Sequence, residues 1–147
     1  MQKNQKGFTL VESLISLSIS GILILATSPS LLKLYDYINL NQTLSTIQAD
    51  LAYMRQNNMM VKSSEQPMNL KIYRAKGYYD LISTDGSIFY ARRTLPPGIN
   101  VIGSSNIITI TFNPLGHVEK GQTLTVKSHH FQKSIVFSIG AGGVDIR

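Results

Sequence analysis

Three histidines are the side chains best suited to metal binding or general acid–base chemistry in this chain, which contains no cysteine. His129 and His130 are adjacent within a strand-like pattern, so their rings are expected on opposite faces, where they cannot chelate one ion together. His117 is the third. The run Gly140-Ala141-Gly142-Gly143 resembles a phosphate loop only in composition, because no helix follows it to provide an N-terminal dipole. The sequence therefore predicts no catalytic residue, no metal site and no cofactor.

One carboxylate, Glu12, lies at the start of a long apolar segment, and residues 13–32 carry no formal charge. Twenty helical residues span about 30 Å, the thickness of a bilayer's hydrocarbon core. A charge at mid-membrane costs on the order of 3 kcal/mol, so Glu12 requires a partner or a function. Lys3 and Lys6 precede the segment without any acid, which predicts a cytoplasmic N-terminus and an external body. Two alternatives are a plain signal anchor and a secretory signal peptide cleaved near Ala26.

The residues Gly7-Phe8-Thr9-Leu10-Val11-Glu12 resemble the processing site of type IV prepilins and pseudopilins. This resemblance implies a leader of residues 1–7, which a prepilin peptidase removes between Gly7 and Phe8 before N-methylating Phe8. It also implies that Glu12 meets the amino terminus of a neighbouring subunit inside the filament, where low dielectric makes an unpaired charge costly. Residues 8–29 would form the membrane and filament-core helix. Pro29 is expected to kink it, because proline removes one helical hydrogen bond.

From residue 30 to residue 61 the pattern remains helical and becomes amphipathic, with apolar residues mostly three or four positions apart. This stripe is predicted to pack on the rest of the protein. It comprises Leu31, Leu34, Ile38, Leu40, Leu44, Ile47, Leu51 and Met54.

The period changes to two after Pro67, which predicts a β domain over residues 62–147. Strands are expected at residues 68–74, 78–83, 87–92, 106–113, 123–129, 133–139 and 144–147. A hairpin is predicted at Thr84-Asp85-Gly86, where Asp-Gly supplies the positive φ angles of a tight turn. The expected fold class is α+β, with a long N-terminal helix packed on a small antiparallel β domain.

The C-terminal part carries a second resemblance. Residues 110–116 and 121–124, a strand at 134–140 and the terminal Val-Asp-Ile-Arg resemble the GspH/FimT-type minor pseudopilins. Length, the short leader and the missing cysteines most resemble the Gram-positive competence subgroup, the ComGD-like proteins. This implies a structural subunit of a filament that helps exogenous DNA cross the cell wall. Its partners would be other major and minor pseudopilins and the prepilin peptidase, and its location would be the cell membrane before processing and the cell surface afterwards. A type II secretion system or a type IV pilus is the alternative assembly.

Basic residues exceed acidic ones, 14 against 8, for a net charge of +6. Candidate contacts to non-specifically bound DNA are Arg92, Arg93, Lys127, Lys133 and Arg147, and the DNA-receptor hypothesis rests on them. Lys127 is expected to share a strand face with a histidine two residues later. The competing interpretation is that these residues solubilise strand edges and discourage aggregation. The sequence shows no platform of interleaved aromatic and basic residues of the kind that binds single strands.

Overall fold

The computed structural model describes residues 9–60, 66–103, 105–139 and 144–146, the last three for their backbone alone. Helix α1 begins at Leu10 and ends at Met60. Within the described residues, eight strands follow: β1 Met68–Tyr73, β2 Tyr78–Ser83, β3 Phe89–Thr94, β4 Asn100–Ile102, β5 Ile107–Thr111, β6 Gln122–Lys127, β7 Gln132–Phe137 and β8 Val144–Ile146. The predicted α+β class, with a long N-terminal helix and antiparallel strands, is confirmed.

The chain divides into two compact units, Met1–Tyr35 and Asp36–Arg147. In the first unit every side chain from Leu10 to Tyr35 is exposed. In the second, α1 buries a stripe spaced by four, three, four and three residues, which is one face of a helix. That stripe is Leu40, Leu44, Ile47, Leu51 and Met54.

The N-terminal end of the predicted apolar stripe is not buried, contrary to the prediction. Leu31, Leu34 and Ile38 are exposed, so burial of the helix starts at Leu40. The periodicity of the sequence continues across this boundary, and it therefore does not reveal where contact with the β strands begins.

The strands form two four-stranded antiparallel sheets, an arrangement that periodicity alone does not indicate. Sheet A has the order β3-β2-β1-β5, and sheet B has the order β4-β6-β7-β8. Both sheets bury one face with the stripe of α1 in a common core, for example through Leu70 of β1 and Val126 of β6. Strand β4, which is three residues long, was not predicted.

The β2–β3 turn forms at the predicted position with a different geometry. Gly86 has a φ of 79°, whereas no residue other than glycine has positive φ among those described, so Asp85 does not adopt the expected angle. Instead the Asp85 carboxylate accepts hydrogen bonds from the Ser83 hydroxyl at 2.6 Å and from the Ser87 backbone N–H at 3.0 Å. These bonds lower the pKa of Asp85, the Ser83 hydroxyl contributing most. The wider turn delays β3, which starts at Phe89 rather than at residue 87.

Strand β6 ends at Lys127, two residues before its predicted end. The chain turns there, because the backbone N–H of Ser128 donates to the carbonyl of Phe131 at 2.8 Å and the Ser128 hydroxyl accepts from the N–H of Phe131 at 3.1 Å. His129 and His130 therefore lie in a turn. The expectation that they occupy opposite faces of a strand was wrong, and so was the shared face of Lys127 and His129.

Asn58 joins the end of α1 to the sheet. Its side chain is 1% exposed. Its Nδ2 donates to the carbonyls of Met68 and Phe112 at 2.9 Å each, and its Oδ1 accepts from the N–H of Met68 at 2.7 Å. One side chain thus fixes the last turns of α1 against the start of β1 and the residue that follows β5.

Candidate functional site

Thr9 and Glu12 form a reciprocal cap at the start of α1. The backbone N–H and the hydroxyl of Thr9 both donate to Oε2 of Glu12, at 3.0 and 3.1 Å. The backbone N–H of Glu12 donates to the Thr9 hydroxyl at 3.3 Å. This is a capping box, in which a threonine and a glutamate three residues later satisfy N–H groups that the first helical turn leaves unpaired.

Most hydroxyl side chains of the apolar segment are satisfied within the helix itself. The hydroxyls of Ser18, Thr27 and Ser28 donate to carbonyls four residues earlier, at 2.8, 3.0 and 2.7 Å. Such bonding allows hydroxyl residues to face lipid without an unsatisfied polar group. Among the described residues, α1 is the helix long and apolar enough to cross a membrane, and none of its most apolar stretch is buried. An exposed apolar helix that begins with a capped carboxylate is suited to a bilayer or to a bundle of like helices.

Comparison with known proteins identifies this N-terminal region. Residues 2–28 match the Prokaryotic N-terminal methylation motif. The chain therefore carries the N-terminal motif of prepilins. It is also similar to Competence protein ComGD of Bacillus subtilis (strain 168), with 29% identity over 142 residues, which cover 97% of this chain and 93% of that protein. No solved structure matches the chain significantly.

These findings confirm the predicted resemblance to prepilins and to ComGD-like proteins. Pseudopilins are structural proteins, and the prediction that this chain is not an enzyme is confirmed on that basis. The predicted cleavage residues Gly7 and Phe8 lie outside the described residues. Pro29 lies inside α1, which is helical on both sides of it, and its predicted kink stays a prediction.

The two candidate DNA contacts on β3 are both bonded to acids. Arg92 forms a two-pronged ion pair with Asp80, Nε to Oδ1 at 2.7 Å and Nη2 to Oδ2 at 2.8 Å. Arg93 approaches Oδ2 of Asp50 at 3.4 Å, and the Tyr79 hydroxyl donates to the same oxygen at 2.7 Å. Burial and the bond to Asp50 raise the pKa of Tyr79 above its ordinary value. About half of each arginine side chain nevertheless remains exposed.

The two candidate lysines, Lys127 and Lys133, belong to sheet B and do not join the arginines of β3. Lys133 donates to Oδ1 of Asn41 at 2.8 Å, and its ammonium lies 5.7 Å from the ring centroid of Tyr37. Lys127 pairs with Gln132 and Lys133 with Val126, so the two lysines face opposite sides of sheet B. Arg147 lies outside the described residues.

The histidines make no metal cluster. In the part of the chain that the structure describes, no group of three or more His, Cys, Asp or Glu side chains could hold an ion. His130 instead pairs with Asp36, Nδ1 to Oδ2 at 2.5 Å, and joins the β6–β7 turn to α1.

Two features escaped the sequence analysis although one had a readable signal. The capping box is visible as Thr9-x-x-Glu12 ahead of an apolar run. The acidic partners of the arginines, Asp50 and Asp80, have no such signal, because one comes from α1 and the other from a neighbouring strand.

Proposed function

We propose that this chain is a minor pseudopilin of a competence-type filament, a structural subunit that helps exogenous DNA cross the cell wall. The observation that carries the proposal is α1, whose exposed apolar surface begins with a capped carboxylate. Such a helix requires lipid before assembly and neighbouring helices afterwards. Similarity to Competence protein ComGD along nearly the whole chain favours the competence assembly over a secretion system or a pilus.

Processing follows from the N-terminal motif. The prepilin peptidase cuts between Gly7 and Phe8 and methylates the new amine of Phe8. Lys3 and Lys6 hold the leader in the cytoplasm until then. Residues 8–29 anchor the processed chain in the membrane, and residues 36–147 reach the cell surface when the subunit enters the filament.

Glu12 has the geometry to cap its own helix and to bind a neighbour simultaneously. Both bonds from Thr9 reach Oε2, and no described residue donates to Oε1. An incoming ammonium group can therefore pair with Oε1 while the capping box persists. In the low dielectric of a helix bundle this pairing sets the register of one subunit against the next, because the unpaired alternative is strongly unfavourable.

The test separates charge from capping. In Glu12→Gln the amide oxygen still accepts from the N–H of Thr9, so the helix start is kept and only the charge is lost. In Thr9→Val the hydroxyl is lost and the charge is kept. We expect Glu12→Gln to be processed but absent from sheared filaments, and Thr9→Val to remain in them.

Glu119→Gln is the matched control, because it removes the same charge from an exposed loop of the β domain. It should assemble normally. Incorporation of Glu12→Gln at the level of the unmodified chain would contradict the assigned role of the carboxylate.

The assembly itself is distinguished by phenotype. A deletion strain should lose transformation while protein secretion and surface motility are unchanged. Loss of secretion or motility with normal transformation would assign the subunit to a type II secretion system or a type IV pilus instead.

A further inference from the structure

The side of sheet A that faces away from the core carries aromatic rings interleaved with cations. Tyr73 and Tyr78 are direct partners on β1 and β2, with ring centroids 4.9 Å apart. The guanidinium carbon of Arg92 lies 4.1 Å from the Tyr78 ring centroid and 5.7 Å from that of Phe89. The ammonium of Lys76 lies 5.8 Å and 6.0 Å from the two tyrosine rings. We call these five residues the aromatic–cationic face.

A groove of about 290 Å³ adjoins this face at the edge strand β3. Arg92 and Arg93 line it, together with hydroxyl and amide groups from α1. Arg92 thus belongs both to the groove and to the aromatic–cationic face. The α1 residues of the groove are Gln42, Thr43 and Thr46.

The accessible charge of this region is positive. Asp80 is 3% exposed and is already paired with Arg92, and Asp50 is 8% exposed. Arg92 donates to Asp80 through Nε and Nη2, and no described residue accepts a hydrogen bond from its Nη1. The groove and face can therefore provide cationic donors to a ligand without exposing the acids that hold them.

Rings and cations in alternation match the chemistry of a single-stranded polynucleotide. Unpaired bases stack on aromatic rings irrespective of sequence, and the phosphates between them bind lysine and arginine. Duplex DNA provides only the phosphates, because its bases are already stacked and paired. Of the ring-bearing residues, Phe89 is 57% exposed and so has the most surface to offer a base.

We propose that the aromatic–cationic face and the adjoining groove bind single-stranded DNA across the edge strand β3, with a base on Phe89 and separate phosphates on Arg92 and Arg93, which face opposite sides of sheet A. The binding is a property of the unit Asp36–Arg147, which includes the part of α1 that lines the groove, whereas its biological use rests on the proposed function. The platform is not evident in the sequence, because its residues come from two stretches, 73–78 and 89–92, that only strand pairing brings together.

The proposal is tested by fluorescence anisotropy on the processed, full-length chain in detergent micelles. The probes are labelled oligothymidylate of about 20 nucleotides and a duplex of equal length. Phe89→Ala should weaken single-strand binding about tenfold, since stacking on one ring is worth that order of affinity. Tyr53→Ala is the matched control, because Tyr53 is 56% exposed on α1 and should leave affinity unchanged.

Charge is tested separately through salt. Lys76→Gln should reduce the slope of log affinity against log salt by about 0.7, the value for one phosphate contact on a single strand. Lys120→Gln removes an exposed lysine elsewhere and should leave the slope as it is. Circular dichroism verifies that each exposed substitution leaves the fold intact.

Three results would each overturn the proposal. The first is that the chain does not bind the single strand at low salt, and the second is that Phe89→Ala and Tyr53→Ala bind it with equal affinity. The third is that the chain binds the duplex as tightly as the single strand and that Phe89→Ala leaves both affinities unchanged. Intact mass and filament incorporation of the same proteins separate the two proposals. Normal processing and assembly without single-strand binding removes this face alone, whereas failed processing removes the filament function and leaves the binding result standing.

Discussion

Asn58 offers a sharp test of how α1 is held on the β domain. Asn58→Ala removes the acceptor of the Met68 N–H and the donor to two buried carbonyls. A buried group left without its partner costs about 1–3 kcal/mol. Alanine returns roughly 0.5 kcal/mol of helix propensity. Since the two carbonyls can accept from elsewhere and the N–H cannot, we expect a net loss of about 2 kcal/mol in the free energy of unfolding.

The adjacent Asn57 provides a matched control. It is the same residue type on the same helical turn, only half-buried, and the structure shows no hydrogen bond from its side chain to any described residue. Asn57→Ala has the same gain in propensity without losing these bonds, so it should be neutral or slightly stabilising. Asn58→Leu keeps the volume and loses the bonds, which separates hydrogen bonding from cavity formation.

The assay is urea unfolding of the full chain in detergent, followed by near-ultraviolet circular dichroism of the tyrosines. With a slope of about 1–3 kcal/mol per molar urea, the Asn58→Ala midpoint should fall by about 0.7–2 M. Asn58→Leu should fall nearly as far. If Asn58→Ala unfolds within about 0.5 kcal/mol of Asn57→Ala, the three bonds contribute little and the reasoning is refuted.

Three further predictions concern charges in the β domain. Tyr79→Phe should lower the unfolding free energy by about 1 kcal/mol at neutral pH. Burial and the bond to Asp50 raise the pKa of Tyr79, so the stability that its hydroxyl contributes is complete below the ordinary pKa of 10.0 and declines above it. The variant should therefore lose less stability than the unmodified chain in alkali. Parallel curves of stability against pH would contradict this. Arg92→Gln should destabilise the folded chain, because it leaves buried Asp80 without its partner. Adding Asp80→Asn should then recover thermal stability. A double variant as unstable as Arg92→Gln would show that the lost ion pair is not the cause. Asp85→Ala should be less stable than the unmodified chain at neutral pH, and the difference should vanish in acid. The lowered pKa of Asp85 adds stability that is present above pH 3.8 and is lost as the pH falls through the pKa of the folded state. A difference in stability that persists in acid would argue against this reason.

Features encoded in neighbouring residues were predictable. The apolar segment after Glu12, the helix end near Met60 and the strands flanking Gly86 all follow from local periodicity and turn chemistry. The prepilin motif belongs to the same class of signal, since its residues are contiguous.

Features that depend on pairing between distant segments could not be predicted from the sequence. The division into two sheets is fixed by which strands meet, for example β1 between β2 and β5, and the alternation of each strand is the same whatever its neighbour. Strand β6 ends early because of the turn held by the hydrogen bonds between Ser128 and Phe131, which the hydrophobic pattern does not indicate. Acids buried beside Arg92 and Arg93, and the rings aligned on sheet A, likewise exist only after the strands have found their register.

The central claim is that this chain is a processed filament subunit, and the intact mass of the protein from cells with and without prepilin peptidase tests it most directly. We predict loss of residues 1–7 with gain of one methyl group, dependent on the peptidase and blocked by Gly7→Ala. Cleavage near Ala26, independent of that peptidase, would instead make the product a secreted β protein without an anchor helix, and the filament function would be contradicted.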